Sequence, residues 1–312
     1  MSQVLGIIFS AQFAFSVLRI TTPIIFASLG ALVTSRAGVI NIGLEGMMLF
    51  AALAGVIASA FTGNAFFGLC AGLLTSLIIA LLMSYVMLVL KSDITLSGIA
   101  TNICASGATV FILYLVCHDK GISSNLASRV LPRIAVPILK NIPILGPIFS
   151  GHNILTYVAF FMVAVVWVLL NKTPLGLRIR AVGESSEAAL SVGVKPVRYQ
   201  FFAMLLSGIL AGFGGVYMSM GYVSWFSRDM IAGRGFIALA AQQLGQGTTM
   251  GTCASALVFG TADSLANNLQ ALQIPPEFVQ SIPYAVTIFG LVVFSIARQR
   301  AAGKQKRNYT KE

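Results

Sequence analysis

Glu45 and Asp263 are the acids that lie well inside apolar stretches of this 312-residue chain. An Asp at the centre of a bilayer costs about 2.5–3.5 kcal/mol on insertion scales, so each acid must face protein or water instead of lipid. Helical spacing puts Asn41, Glu45 and Met48 on one face at i, i+4, i+7, and Asp263, Asn267 and Gln270 on another. Two kinds of chemistry fit. Asn41, Glu45, Asp263 and Asn267 can line a path for a polar solute, or they can brace interrupted helices by hydrogen bonds to freed backbone groups. Glycines crowd both acids, Gly43 and Gly46 around the first and Gly260 beside the second.

Other reactive side chains give no constellation. His118 and His152 lie near the ends of one polar loop, away from either acid. There is no G-x-x-x-x-G-K-[ST] phosphate loop, no H-E-x-x-H and no G-x-S-x-G. Cys70, Cys104, Cys117 and Cys253 form no C-x-x-C and suit packed small residues better than a disulfide framework or a metal site. The expectation is a chain that is not an enzyme, with no cofactor or metal of its own. Any ATP coupling must come from another chain.

The elements that position these residues are membrane helices. Composition is 57% hydrophobic and 9% charged, whereas a soluble chain carries about 25% charged residues. Apolar segments fall near 4–18, 20–34, 38–59, 66–90, 97–116, 152–170, 200–222, 234–246, 252–268 and 280–297. The fold class is therefore all-α, a polytopic membrane protein with nine or ten segments including broken half-helices. The first segment is short and is set off from the next by Arg19, so it either spans or lies in the interface; if it spans, both termini are cytoplasmic. Residues 234–246 are too short to span at about 1.5 Å per residue. They form a half-helix joined to 252–268 through the glycine-rich run Gly245 to Gly251. Gly43, Gly46, Gly235 and Gly245 mark the broken helices. Gly68–Gly72, Gly208–Gly212 and Ala51–Gly55 are small-residue pairs that let helices approach closely.

The net charge of +11 is distributed for a membrane, not for nucleic acid. Arg36, Lys91, the group Lys172, Arg178, Arg180, Lys195 and Arg198, and a tail after Arg298 hold most of the basic residues. They define one cytoplasmic side by the positive-inside rule. The chain divides into a single membrane domain over 1–297 and a basic cytoplasmic tail over 298–312, the latter placed at the anionic inner leaflet. An external loop covers about 117–151 and a cytoplasmic loop about 171–199. The opening residues show no charged n-region and no cleavage site, so no cleaved signal peptide is expected.

The cytoplasmic loop contains a short helix over Glu184 to Val192. Ser185 or Ser186 serves as N-cap, and Gly193 supplies the left-handed turn that ends it. Glu184 and Glu187 favour its N-terminal end through the helix dipole. Ala188, Ala189 and Val192 form a small flat apolar face suited to a groove on a soluble partner. A plain connecting turn is the simpler alternative.

Three stretches carry a family resemblance: SRAGVINIGLEGMM (Ser35 to Met48), TPLGLRIRAVGESSEAALSVGV (Thr173 to Val194), and AGRGFIALAAQQLG (Ala232 to Gly245) with FGTAD (Phe259 to Asp263) and IPPEFVQSIPY (Ile274 to Tyr284). Together they resemble permease subunits of bacterial ABC importers for branched-chain amino acids, simple sugars and nucleosides. The NIGLEG and GRGFIALAA forms are most similar to the nucleoside branch; sugar permeases more often show D-L-S-V-G at the first site. One departure stands after Gly245, where the family often has an aromatic residue and a proline. Here Gln246, Gly247, Thr248, Thr249 and Met250 follow.

The resemblance implies a multi-pass subunit of the bacterial cell membrane, paired with a second, usually non-identical permease. It implies a twin-cassette cytoplasmic ATPase, an external substrate-binding lipoprotein, a small-molecule solute and no nucleic-acid partner. Glu184, Ser185, Glu187, Ala188, Ala189, Val192 and Gly193 would then form the ATPase-coupling element. The alternatives are a ribose-type sugar permease of the same kind, or a proton- or sodium-coupled secondary carrier using Glu45 and Asp263.

Overall fold

The computed structural model describes residues 10–135, 145–270 and 292. Helices dominate, and six of those described are long and apolar enough to cross a membrane. The first, α1 (Ala11–Arg36), starts at Ser10, whose Oγ accepts from the Phe13 N–H at 3.1 Å. It runs unbroken through Arg19. The division expected at Arg19 between segments 4–18 and 20–34 is therefore replaced by one helix from Ala11 onward, residues 4–9 lying outside those described. Arg19 is tolerated because its guanidinium donates to the Tyr222 carbonyl and lies 4.4 Å from the centre of the Tyr222 ring, which shields the charge inside protein.

α2 (Leu44–Thr62) and α3 (Ala65–Ser84) form a tight hairpin, and a π-turn over Tyr85–Val89 extends α3. The small-residue pairs act as expected. A Cβ on Gly68 would fall 2.7 Å from the Gly55 carbonyl oxygen, and one on Gly72 would fall 2.8 Å from that of Ala51. α4 (Ile94–Cys117) is capped by Asp93, whose Oδ1 accepts from the Leu96 N–H at 2.8 Å.

The external loop carries a short helix α5 (Leu145–Phe149) and a two-residue antiparallel pair, β1 (Arg133–Ile134) with β2 (His152–Asn153). It is pinned down by Ser123 N–H to Phe226 O at 2.9 Å and Leu131 N–H to Met220 O at 2.9 Å. Asn153 then caps α6 (Ile154–Lys172).

Two helices, not one, fill the polar interval after α6. α7 (Pro174–Glu184) begins at Thr173, whose Oγ1 accepts from the Gly176 N–H at 3.1 Å, and buries Ile179 and Val182. α8 (Ser186–Ser191) follows after a one-residue break at Ser185. Next come α9 (Pro196–Tyr217) with its π-turn at Met218–Tyr222, the half-helix α10 (Arg234–Leu244), and α11 (Thr249–Gln270). α1 is the central post, packed against α9, α11, α10 and α6. Its middle, from Ile24 to Phe26, is fully buried.

The two ends of the bundle follow from this. Arg36 abuts Gly183 at one end. The first turns of α1 lie at the other end, with Phe15 stacked on His152 at 3.9 Å. The start of α1 is thus on the external-loop side, a consequence of fusing the first two apolar stretches. Apart from residue 292, the segment 280–297 lies outside the described residues, as does the tail after 298.

Candidate functional site

The chain is interrupted twice inside the bundle, and the two interruptions meet. The first is the loop 37–43 between α1 and α2. Asn41 belongs to this loop and not to the helix that carries Glu45, so the expected i, i+4, i+7 face starts only at Glu45. Nothing at Gly43 caps α2 with a side chain, so its free N–H groups need partners from elsewhere. Asn41 is fully buried; its Oδ1 accepts from the Gly43 N–H at 3.1 Å and its Nδ2 donates to Ser207 Oγ at 2.9 Å. Asn102 of α4 completes the work, accepting from the Gly46 N–H at 2.8 Å and donating to the Ile42 carbonyl at 2.9 Å. Asn102 lies about 12 Å along α4 at 1.5 Å per residue, well below the surface. A Cβ on Gly46 would come 2.9 Å from the Thr101 carbonyl oxygen, and one on Gly43 would collide with Met83.

The second interruption is the segment 223–233 ahead of α10. Ser224, Asp229 and Ala232 hold φ of 79°, 50° and 50°, and Gly233 has φ 80°. Left-handed backbone is strained for a residue with a Cβ, and such strain persists where surrounding structure enforces it. Gly233 offers no capping side chain. Glu45 takes that role from a distant part of the sequence. Its Oε1 accepts from the Gly233 N–H at 2.8 Å and its Oε2 from the Gly235 N–H at 2.7 Å. A carboxylate at a helix N-terminus gains from both the free donors and the dipole. Gly235 is required by contact: a Cβ there would sit 2.6 Å from the Glu45 nitrogen.

Asp263 reaches the same helix end. Its Oδ2 lies 3.0 Å from Nη2 of Arg234, the first residue of α10, and the two side chains are only 15% and 12% exposed. Arg234 Nη1 also donates to the Ile231 carbonyl at 3.1 Å. Asn267, one turn along α11, is exposed, and the side chain of Gln270 lies outside the described set. Both acids singled out by their cost in a membrane therefore converge on the first turn of α10, one on its backbone and one on its side chain.

The glycine-rich run after Gly245 is a tight turn between α10 and α11, not a break at depth. A Cβ on Gly245 would come 2.3 Å from the Thr252 nitrogen. Arg36 Nε donates to the Gly247 carbonyl at 2.6 Å, which holds this turn at the Arg36 end.

At that end, Ser185 is the N-cap of α8, with Oγ accepting from the Ala188 N–H at 3.2 Å, and Gly193 takes φ 83°. Glu187 sits in the first turn of α8, whereas Glu184 ends α7. Ala189 is buried at 3% exposure, so it is no part of an outer face. The outward apolar residues are Ala188, Leu190 and Val192, the last 77% exposed. A six-residue helix packed on its neighbours by one residue turns the others outward, which the i, i+1, i+4 pattern alone does not resolve. The signal for the separate α7 helix is Thr173 before Pro174, an N-cap followed by proline at the first helical position.

Three residues near the site carry no sequence signal of comparable strength. Asn102 reads as one polar residue in an apolar helix. Asp229 sits in a short polar interval, and its partner Ser106, 2.8 Å away, is 123 positions distant.

A multi-span helical bundle with paired re-entrant breaks is the architecture of an integral membrane protein. The chain belongs to the family described as branched-chain amino acid transport system, permease component, matched over residues 13–291. It is 34% identical over 285 residues to the nucleoside ABC transporter permease protein NupC of Lactococcus lactis, covering 88% of this chain and 89% of that one. It is 33% identical over 303 residues to the guanosine ABC transporter permease protein NupQ of Bacillus subtilis, covering 94% and 93%. Among solved structures, an inward-facing metal-chelate type ABC transporter shares the fold with a TM-score of 0.51, at 17% identity, over 93% of this chain and 88% of that one. The protein is a multi-pass cell-membrane permease subunit of an ABC transport system.

Proposed function

We propose that this subunit forms one half of the path by which a nucleoside enters the cell. The likeness to NupC and NupQ over nearly the whole chain is the observation that carries the solute class. In this reading a second, non-identical permease completes the path, an external lipoprotein delivers the solute, and a separate ATPase with two cassettes supplies the energy. No cofactor is required in this chain.

Coupling to the ATPase falls to α8 and its flanks, from Glu184 to Gly193. Their support is geometric: a rigidly capped short helix at the basic end presents Ala188, Leu190 and Val192 outward. Glu45 and Asp263 brace α10 in this scheme, which makes a secondary carrier that loads protons on them the weaker reading. Both carboxylates are already engaged within the chain. Any contribution of Asn41 or Asn267 to the path is unequal, since Asn41 is sealed inside the bundle and Asn267 faces outward.

The test is co-purification and uptake with Ala188→Arg and Val192→Arg. A bulky charge on the outward face should block docking by clash and desolvation. The ATPase should be lost from the complex and nucleoside uptake should stop, while the permease pair still inserts. Normal ATPase recovery with normal uptake places the coupling surface elsewhere. Uptake of a simple sugar instead of a nucleoside would move the subunit to the sugar branch.

A further inference from the structure

We propose that Asp229, with Ser106 and Arg228, forms a solute-contacting site between the middle of α4 and the external loop, shaped for the vicinal hydroxyls of a ribose. Depth comes from Ser106. It is the thirteenth residue of α4, a 24-residue helix, and so lies about 16–18 Å from either end of that helix at 1.5 Å per residue, whereas the Arg228 N–H donates to the Gly121 carbonyl of the external loop at 2.7 Å. Asp229 Oδ1 accepts from Ser106 Oγ at 2.8 Å, which carries the carboxylate to the same depth.

Exposure supplies the second observation. The Asp229 side chain is 52% exposed and that of Arg228 63%, with Arg228 Nε 3.4 Å from Asp229 Oδ2. By contrast, Arg234 and Asp263 are nearly covered. Charged groups at the centre of a bilayer do not face lipid; they face a water-filled path or protein. The backbone agrees. Asp229 holds φ 50° and Ala232 the same, so the segment is held in an unfavourable conformation that aims Asp229 across to α4. Glu45 and Asp263 serve the fold of α10, whereas the Asp229 carboxylate is turned to α4 and stays half exposed.

The chemistry follows from the groups present. One carboxylate oxygen is occupied by Ser106, and the other is shared weakly with Arg228. A carboxylate flanked in this way accepts from two adjacent hydroxyls, while the guanidinium offers donors to a ring carbonyl or nitrogen. This rests on the nucleoside reading above for the identity of the solute, but not for the exposure of the site.

Two measurements separate these. In a background with Cys70, Cys104, Cys117 and Cys253 replaced by Ala, Asp229→Cys and Ser106→Cys are introduced into the complete importer and treated with a membrane-impermeant thiol reagent. Reaction at either position is expected, with protection by guanosine at saturation. Uptake by Asp229→Asn is then compared for guanosine and its 2′,3′-dideoxy counterpart. Guanosine KM should rise about tenfold, the scale of one lost hydrogen bond to a charged group, while the dideoxy compound changes less than twofold. Silence of both introduced thiols, an equal change for both solutes, or loss of the second permease from Asp229→Asn on co-purification overturns the proposal. If the wild-type importer moves no nucleoside but the Asp229→Cys thiol reacts, the nucleoside reading falls and the water-facing site stands.

Discussion

Arg234 and Asp263 lie 3.0 Å apart across the first turn of α10 and the middle of α11, each less than one-sixth exposed. The pair joins a helix end to a helix flank, so it fixes where the half-helix starts. Its neighbour Glu45 fixes the same point through the backbone.

Removing one partner of this pair leaves a charge buried alone. Asp263→Ala should destabilise the subunit by about 3–5 kcal/mol, and the double change Arg234→Met with Asp263→Leu should recover most of that. Thermal unfolding of the detergent-purified protein measures both. A single variant as stable as the wild type would show that Arg234 finds another acceptor.

Glu45→Gln retains one acceptor oxygen where two are used. One of the Gly233 and Gly235 N–H groups then goes unpaired, at a cost of about 1–3 kcal/mol. Transport or assembly should weaken, and no proton-driven solute flux should arise in ATP-free liposomes with either form. Gly235→Ala should be worse, because its Cβ meets the Glu45 backbone, whereas Gly107→Ala meets nothing within 4 Å and should be tolerated. Equal expression of the two alanine variants would contradict the close approach.

His152 gives a pH dependence. It is 3% exposed, stacked on Phe15, and its Nε2–H donates to the Ile148 carbonyl at 2.8 Å. Burial pulls its pKa below the usual histidine value, which the Ile148 carbonyl partly opposes. The unfolded chain therefore binds the proton first as pH falls. The stabilisation is complete above about pH 6.5 and declines below it until the folded group also titrates. His152→Phe should keep the stack and flatten this slope. The difference in unfolding temperature between pH 7.5 and pH 5.0 is the readout, and an unchanged slope would assign it to another group.

Sidedness is open to labelling. With Lys195 at the basic end, a Lys195→Cys thiol should react only from the cytoplasmic side in intact cells. Labelling from outside would invert the whole bundle.

Much of this arrangement is legible in the residues, and the rest is hidden for a reason. Glu45 and Asp263 announce themselves because an acid in an apolar helix needs an explanation. Their common destination does not, since the partners of Glu45 are backbone N–H groups, which nearly every residue carries. Arg19 reads as a boundary between two segments; its guanidinium is accommodated by a carbonyl 203 positions away, and no local pattern shows that. Asn41 follows the helical spacing of Glu45 but precedes the helix start. The cap at Ser185 and the turn at Gly193 are readable because capping is local chemistry.

The bond from Glu45 to Gly233 spans 188 positions. Chains are made at roughly 5–20 residues per second, so on the order of 10–40 s separates the synthesis of the acceptor from that of its donor. Throughout that interval the half-made subunit holds a carboxylate within the bilayer with no helix end to receive it. A ribosome-stalled chain ending before Gly233 should accordingly leave Glu45 open to solvent or to a helper protein, and the subunit's assembly is timed by the arrival of α10.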